Sequence, residues 1–301
     1  VCGLGVAAYH PEGARITFFA APGHRRATTM ALFGVCGNVG WGLGPAAAAL
    51  LVGAAGREGA AGLVVPGLLM ALVLLVYRAR PARSAREREQ RHRRTRPAGN
   101  EGKPHWGAAA VLVLVVTVSY WAYVGSATYI PLFYTAHLGA DPSRSGFVLS
   151  LFLLGGAAGT LAGGWLSDRR GRRPVMQGAL ALSVLPLLLF PQAGGAGSVV
   201  LAGLAGFVLG SIWGVATVYA QELLPHHPGL AAGLVHGLPA GLGGLATLFL
   251  GLVADRWGVP IAMTVLALLP VPGLFLSFRL PGQDRRAARA LRGDPKPSNS
   301  G

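Results

Sequence analysis

The chain has 301 residues, of which 52% are apolar and only 12% charged, with 46 glycines and a formal charge of +15. A soluble domain carries about 25% charged residues, so this composition argues against a soluble enzyme or binding domain. It suits a polytopic helical membrane protein, in which glycine lets helices pack closely. Cys2 and Cys36 both fall in apolar runs, which suggests neither a disulfide framework nor a metal site.

In chain order, about nine stretches are long enough to cross a bilayer, which takes ~20 helical residues each. They lie near 1–21, 28–53, 60–77, 107–132, 146–167, 174–193, 198–222, 230–254 and 260–279. The chain opens Val-Cys-Gly-Leu with no Met and no basic leader, and nothing there resembles a signal peptide. If the hinge around Asp168 faces the cytoplasm, 22 of the 26 Lys and Arg residues fall on that side. Only Arg57, Arg144 and Arg256 fall on the other, and Arg15 lies within a span. This positive-inside bias sets the first helix starting outside and the C-terminus inside, in the cell (inner) membrane. The basic run Arg83–Arg96 reads as a cytoplasmic linker facing anionic lipid. It has no aromatic residues for stacking bases, so nucleic acid is not an expected partner.

Two stretches echo each other at an offset of 203 residues. Pro22-Gly-His24 answers Pro225-His-His227, Gly34 answers Gly237, and Gly40 answers Gly243. Parallel repeats joined by a long basic loop imply two related helix bundles. The expected division is 1–77 as the remainder of an N-terminal bundle, 78–105 as a basic linker, 106–280 as a six-helix C-terminal bundle and 281–301 as a disordered cytoplasmic tail.

The most specific local signal is Gly164-Trp-Leu-Ser-Asp168-Arg169-Arg-Gly171-Arg172-Arg173, set between two apolar runs. Buried in hydrocarbon, each of its charges would cost roughly 2.5–3.5 kcal/mol, so the stretch straddles a membrane surface. Its spacing resembles the loop motif of the major facilitator superfamily. Gly3–Arg15, which includes His10, Pro11 and Glu12, is similar to the fourth helix of the fosmidomycin resistance proteins within that superfamily. Gly37-Asn38-Val-Gly40 with Gly44-Pro45 resembles their fifth helix. Tyr219-Ala-Gln221-Glu222-Leu-Leu-Pro225 and Gly251–Asp255 resemble the tenth and eleventh. The resemblance covers residues 1 to about 280. It implies an all-α major facilitator fold without its first three transmembrane helices, and proton-driven export of a small anionic or amphiphilic drug. The runners-up are a uniporter or symporter of a small organic anion or sugar, and a non-transporting membrane fragment.

Several residues carry that expectation. Glu12 lies 13 residues before Arg25, which puts it roughly 20 Å from the surface. An intramembrane carboxylate is a functional hypothesis by default. Arg15, one helical turn on, and His10 complete a proton-coupling or substrate group; a static Glu12–Arg15 pair is the structural alternative. Asp168, Arg169, Arg172 and Arg173, with Gly164 and Gly171 allowing close approach and a tight turn, read as a conformational latch, or more plainly as a topological anchor. Gly40, Gly44 and Pro45 resemble the superfamily's antiporter motif, although Ala48 and Ala49 replace glycines there. Tyr120, Tyr123, Trp213, Thr217 and Gln221 are candidates to line a cavity, the aromatic ones also reading as interfacial anchors. His236 reads as a packed histidine. Gly155/Gly159/Gly163 and Gly206/Gly210/Gly214 read as packing ridges. No nucleophile–base pair, metal cluster or phosphate loop appears, so neither an enzyme nor a cofactor or metal is expected. The partners are a small-molecule substrate, protons and the lipid bilayer, with a monomeric chain.

Overall fold

The computed structural model describes residues 12–21, 25–77, 87, 90, 104–140 and 142–282. Among them the regular structure is helical throughout. Helix α1 covers 12–20. It is followed by α2 (Arg26–Gly59), a 3-10 turn and α3 (Val64–Tyr77). After the basic segment come α4 (Trp106–Leu132), α5 (Pro142–Arg170), α6 (Arg172–Leu189) and α7 (Gly195–Gly210). The remaining helices are α8 (Ile212–Leu223), α9 (Pro228–Trp257), α10 (Val259–Leu268) and α11 (Pro270–Ser277). Seven helical stretches among the described residues are long and apolar enough to cross a membrane.

These seven correspond to the last seven of the nine expected spans. The 28–53 stretch is helical within α2, and most of 1–21 lies outside the described residues. The structure adds breaks that hydropathy does not see. The α2 helix is interrupted at Ala55 and Gly56, where Gly56 takes φ 64°. The expected 198–222 span turns at Ser211, and the last span restarts at Pro270. The α4 helix runs past Pro131 into a π-turn over Phe133–His137, in which the Thr135 hydroxyl donates to the Pro131 carbonyl at 3.0 Å.

Helices α4 to α11 bury two stacked apolar layers. One gathers Leu112, Val116, Met176, Leu180, Val215, Leu223 and Val235, all toward the end that carries Asp168. The other gathers Tyr129, Phe133, Phe152, Leu187, Leu209, Leu250 and Leu266 toward the far end. A smaller cluster of Ala14, Phe18, Ala27, Met30, Val218 and Ala232 seats α1 and α2 on α8 and α9. Outward-facing Leu182, Leu248 and Phe275 are each more than 60% exposed. An apolar exterior of this extent would be a liability in water and is the expected surface in lipid. Interior hydroxyls satisfy themselves locally, because hydrocarbon offers no other partner. Thr117 donates to Val113, Ser119 to Val115 and Ser126 to Ala122, each four residues back.

The expected glycine ridges are where helices come closest. A Cβ on Gly155, Gly159 or Gly163 of α5 would overlap the carbonyl oxygens of Gly203, Phe207 and Ser211 respectively. Thr160 bridges the same seam by donating to the Gly210 carbonyl at 2.9 Å. Gly164 plays a similar part against α2, where a Cβ would lie 2.7 Å from the Ala27 carbonyl oxygen.

Candidate functional site

The C-terminal end of α5 projects Asp168 onto the start of α2. Its carboxylate accepts the Ala27 amide at 3.1 Å, the Thr28 amide at 2.9 Å and the Thr28 hydroxyl at 2.8 Å. The first amides of a helix have no partner within the helix and carry its positive dipole end. Asp168 therefore caps a helix 140 residues away in sequence. On its other side Asp168 pairs with Arg172 at 2.6 Å, and Arg172 continues to Glu222 of α8 at 3.1 Å and to the Ser167 hydroxyl at 3.1 Å. The Asp168 and Arg172 side chains are only 8% and 6% exposed, and Glu222 is 28% exposed. One buried arginine thus joins two carboxylates, and one of those carboxylates holds the α2 terminus.

The other motif residues have different partners. Arg169 lies over the Trp165 ring, 3.8 Å from its centre. Arg173 donates to the Phe278 carbonyl at 2.8 Å and so ties α6 to the end of α11. Tyr219 donates to the Pro281 carbonyl beside it. Gly171 links α5 to α6 at φ 96° and ψ 164°, a conformation open almost only to glycine. Gly171→Ala should cost about 1–3 kcal/mol, read as a lower melting temperature of the purified protein.

Glu12 and Arg15 form a forked pair on α1, with contacts at 2.6 and 2.9 Å. Glu12 is 51% exposed in this arrangement. His10 lies outside the described residues. Gly40 is on an exposed stretch of α2; Gly44 and Pro45 continue that helix, with their side chains outside the described residues.

Of the cavity candidates, Tyr120, Tyr123, Trp213 and Thr217 lie together and Gln221 does not. Tyr120 and Tyr123 of α4 meet Trp213 of α8 edge to face, at 5.2 and 6.0 Å between ring centres. Thr217, one turn beyond Trp213, contacts the His236 ring at 3.0 Å, and that ring lies 9° from parallel to Trp213. Gln221 stands apart from the rings and is fully buried; its amide donates to the Ala14 and Pro228 carbonyls, both at 3.4 Å. A separate open cavity of about 430 Å³ lies at the far end, lined by Tyr134, Arg144, Gln192 and Ser198 among others.

Ala27 and Thr28, the partners of Asp168, escape the sequence reading, whereas His236, read as a packed histidine, packs on Trp213 and contacts Thr217. The first two act largely through backbone amides, which any sequence supplies. The only cue for His236 is the rarity of a histidine within an apolar span.

The fold and these networks define a multi-pass helical membrane protein whose helix ends are tied by buried charge. A family model for the Major Facilitator Superfamily matches residues 1–236 and 112–300. The chain belongs to that superfamily of membrane transporters. The fosmidomycin resistance protein of Escherichia coli (strain K12) is 32% identical over 289 residues, covering 92% of this chain and 68% of that protein. The uncharacterized MFS-type transporter YfnC of Bacillus subtilis (strain 168) is 33% identical over 289 residues, covering 94% and 69%. Solute carrier family 2, facilitated glucose transporter member 2, of Rattus norvegicus is 30% identical over 165 residues, covering 48% of this chain and 32% of its own.

Proposed function

We propose that this transporter exports small anionic or amphiphilic drugs of the fosmidomycin type in exchange for protons, by alternating access. The observation that carries the reading is the Asp168 network. A carboxylate from α5 holds the start of α2 while Arg172 holds Glu222, a set of contacts that closes one end and must part for that end to open. The domain reading goes with it: residues 1–77 and 106–280 move against each other, joined by the basic linker 78–105. The Asp168 end and the C-terminus face the cytoplasm of the inner membrane, and the chain works as a monomer. Similarity to the E. coli fosmidomycin resistance protein supports the substrate class.

In this scheme Glu12 takes up the proton. In the structure it pairs bidentately with Arg15, and protonation would neutralise the carboxylate that holds the guanidinium. Protonation releases Arg15, whose planar fork suits a phosphonate or carboxylate. The test is fosmidomycin accumulation in expressing cells, before and after the proton gradient is collapsed. Expression should lower accumulation, and collapse should restore it. Accumulation unaffected by expression refutes the substrate assignment. Glu12→Gln should abolish gradient-driven efflux and leave counterflow exchange intact; loss of both identifies a static pair.

A further inference from the structure

We infer that Gln221 makes the Asp168 end easier to open, because the closed form buries its carboxamide without satisfying it; the inference rests on the alternating-access reading. Gln221 stands on α8, is fully buried and reaches between two other helices. Its amide nitrogen donates to the carbonyl of Ala14 on α1 and to that of Pro228 at the start of α9, both at 3.4 Å. An amide donor normally sits at ~2.7–3.2 Å, so both bonds are long. The side-chain oxygen has no hydrogen-bond partner among the described residues. Turning the amide over brings no relief. Its oxygen would then face two carbonyl oxygens, and its N–H groups would lose both acceptors. One end of the group is orphaned in either orientation.

The neighbouring side chains offer nothing better. Ala14, Val218 and Ala232 pack together in this seam, each fully buried. Ala14 lies within α1 and Pro228 opens α9, and a helical carbonyl accepts from the amide four residues on. Those two carbonyls therefore lose little if Gln221 is replaced. An unpaired buried polar atom destabilises the form that buries it, whereas an apolar group of the same shape is neutral or stabilising there. The seam joins α1, on one side of the junction that must part, to α8 and α9 on the other. Once it parts, water reaches the carboxamide and the penalty disappears. Gln221 thus opposes the network formed by its neighbour Glu222 with Arg172 and Asp168. A tether holding α1 to α8 would have the opposite sign.

The sign is what the experiment reads. Ala27 is fully buried in the closed form, so Ala27→Cys, with Cys2 and Cys36 replaced by serine, reports opening through its rate of maleimide labelling. The purified full chain is labelled in detergent with Gln221 intact, as Gln221→Met and as Gln221→Leu. Methionine keeps the length of the side chain, and leucine shows whether the effect follows polarity. Both variants should label about fivefold more slowly or less, the scale of one relieved buried group. Their melting temperatures should be unchanged or higher. Labelling that is unchanged or faster overturns the inference, as does a lower melting temperature or loss of folded protein in both variants, since either result identifies a tether. Fosmidomycin accumulation in expressing cells separates the two readings. If labelling slows as expected while expression of the wild type leaves accumulation unaltered, the efflux reading fails and the role of Gln221 stands.

Discussion

Asp168→Asn should lower efflux roughly tenfold or more while the protein still reaches the membrane, and should leave the Asp168 end open more of the time. The Asp168 carboxylate takes four donors: two amides and a hydroxyl at the start of α2, and the guanidinium of Arg172. An asparagine has one acceptor oxygen, and its amide group would point two hydrogens at groups that are themselves donors. It also removes the charge that faces the positive end of α2 and leaves Glu222 as the carboxylate still paired with Arg172. Breaking one partner of a buried ion pair costs about 3–5 kcal/mol, partly recovered if the exposed groups find water. Water reaches them only if that end opens. The equilibrium between closed and open forms should therefore shift, rather than the fold failing. The measurement is labelling by a membrane-impermeant maleimide at Ala27→Cys, with Cys2 and Cys36 replaced by serine. Labelling should rise several-fold in the Asp168→Asn background, and Thr28→Val, which removes one of the four donors, should give a smaller rise. Unchanged labelling together with unchanged efflux would show that the network is an anchor and not a moving contact.

How much of this was legible beforehand depends on which groups do the work. The helices from 107 to 279 follow from runs of apolar residues, because a membrane span must satisfy its backbone internally and present hydrocarbon outward. The closeness of α5 and α7 follows from glycines at every fourth position. The motif arginines look equivalent in the sequence, yet they diverge in space: Arg172 is buried between two carboxylates, Arg169 lies over Trp165, and Arg173 reaches the end of α11. Local spacing offers Trp165 to Arg169 and Asp168 to Arg172, each four residues back, but Glu222 and the Phe278 carbonyl are distant in sequence. The partner of Asp168 was equally hidden. A helix N-terminus offers its amides whatever its side chains, so only the packing of Gly164 against Ala27 brings them within reach. The aromatic candidates were recognisable by type, but the three-dimensional neighbour that orients them, His236, lies 19 residues from Thr217 on another helix.

The second large effect concerns stability. Gly159→Val should abolish accumulation of folded protein, and Gly159→Ala should lower the melting temperature by several degrees, whereas Gly178→Ala should leave it unchanged or slightly raised. Both glycines are mid-helix, and alanine gains about 0.5–1 kcal/mol over glycine in helical propensity. A Cβ on Gly178 meets nothing within 4 Å, so that gain is kept. A Cβ on Gly159 falls onto the backbone of Phe207, which has no rotamer to move out of the way. Relief requires α5 and α7 to separate, and they are in register above and below. Gly155 abuts Gly203, Gly206 abuts Phe152, and Gly163 abuts Ser211 across the same seam. Separation at one contact loosens the others and pulls the Thr160 hydroxyl away from the Gly210 carbonyl, which loses that donor where no water replaces it. Overpacking of a single site typically costs about 1–3 kcal/mol, and three linked contacts with a hydrogen bond place this site at or above that range. A thermal melt in detergent of the purified wild type, Gly159→Ala and Gly178→Ala decides the matter, with Gly159→Val read by its yield of folded protein. If Gly159→Ala melts with Gly178→Ala, the α5–α7 seam has slack and close packing there does not hold the bundle together.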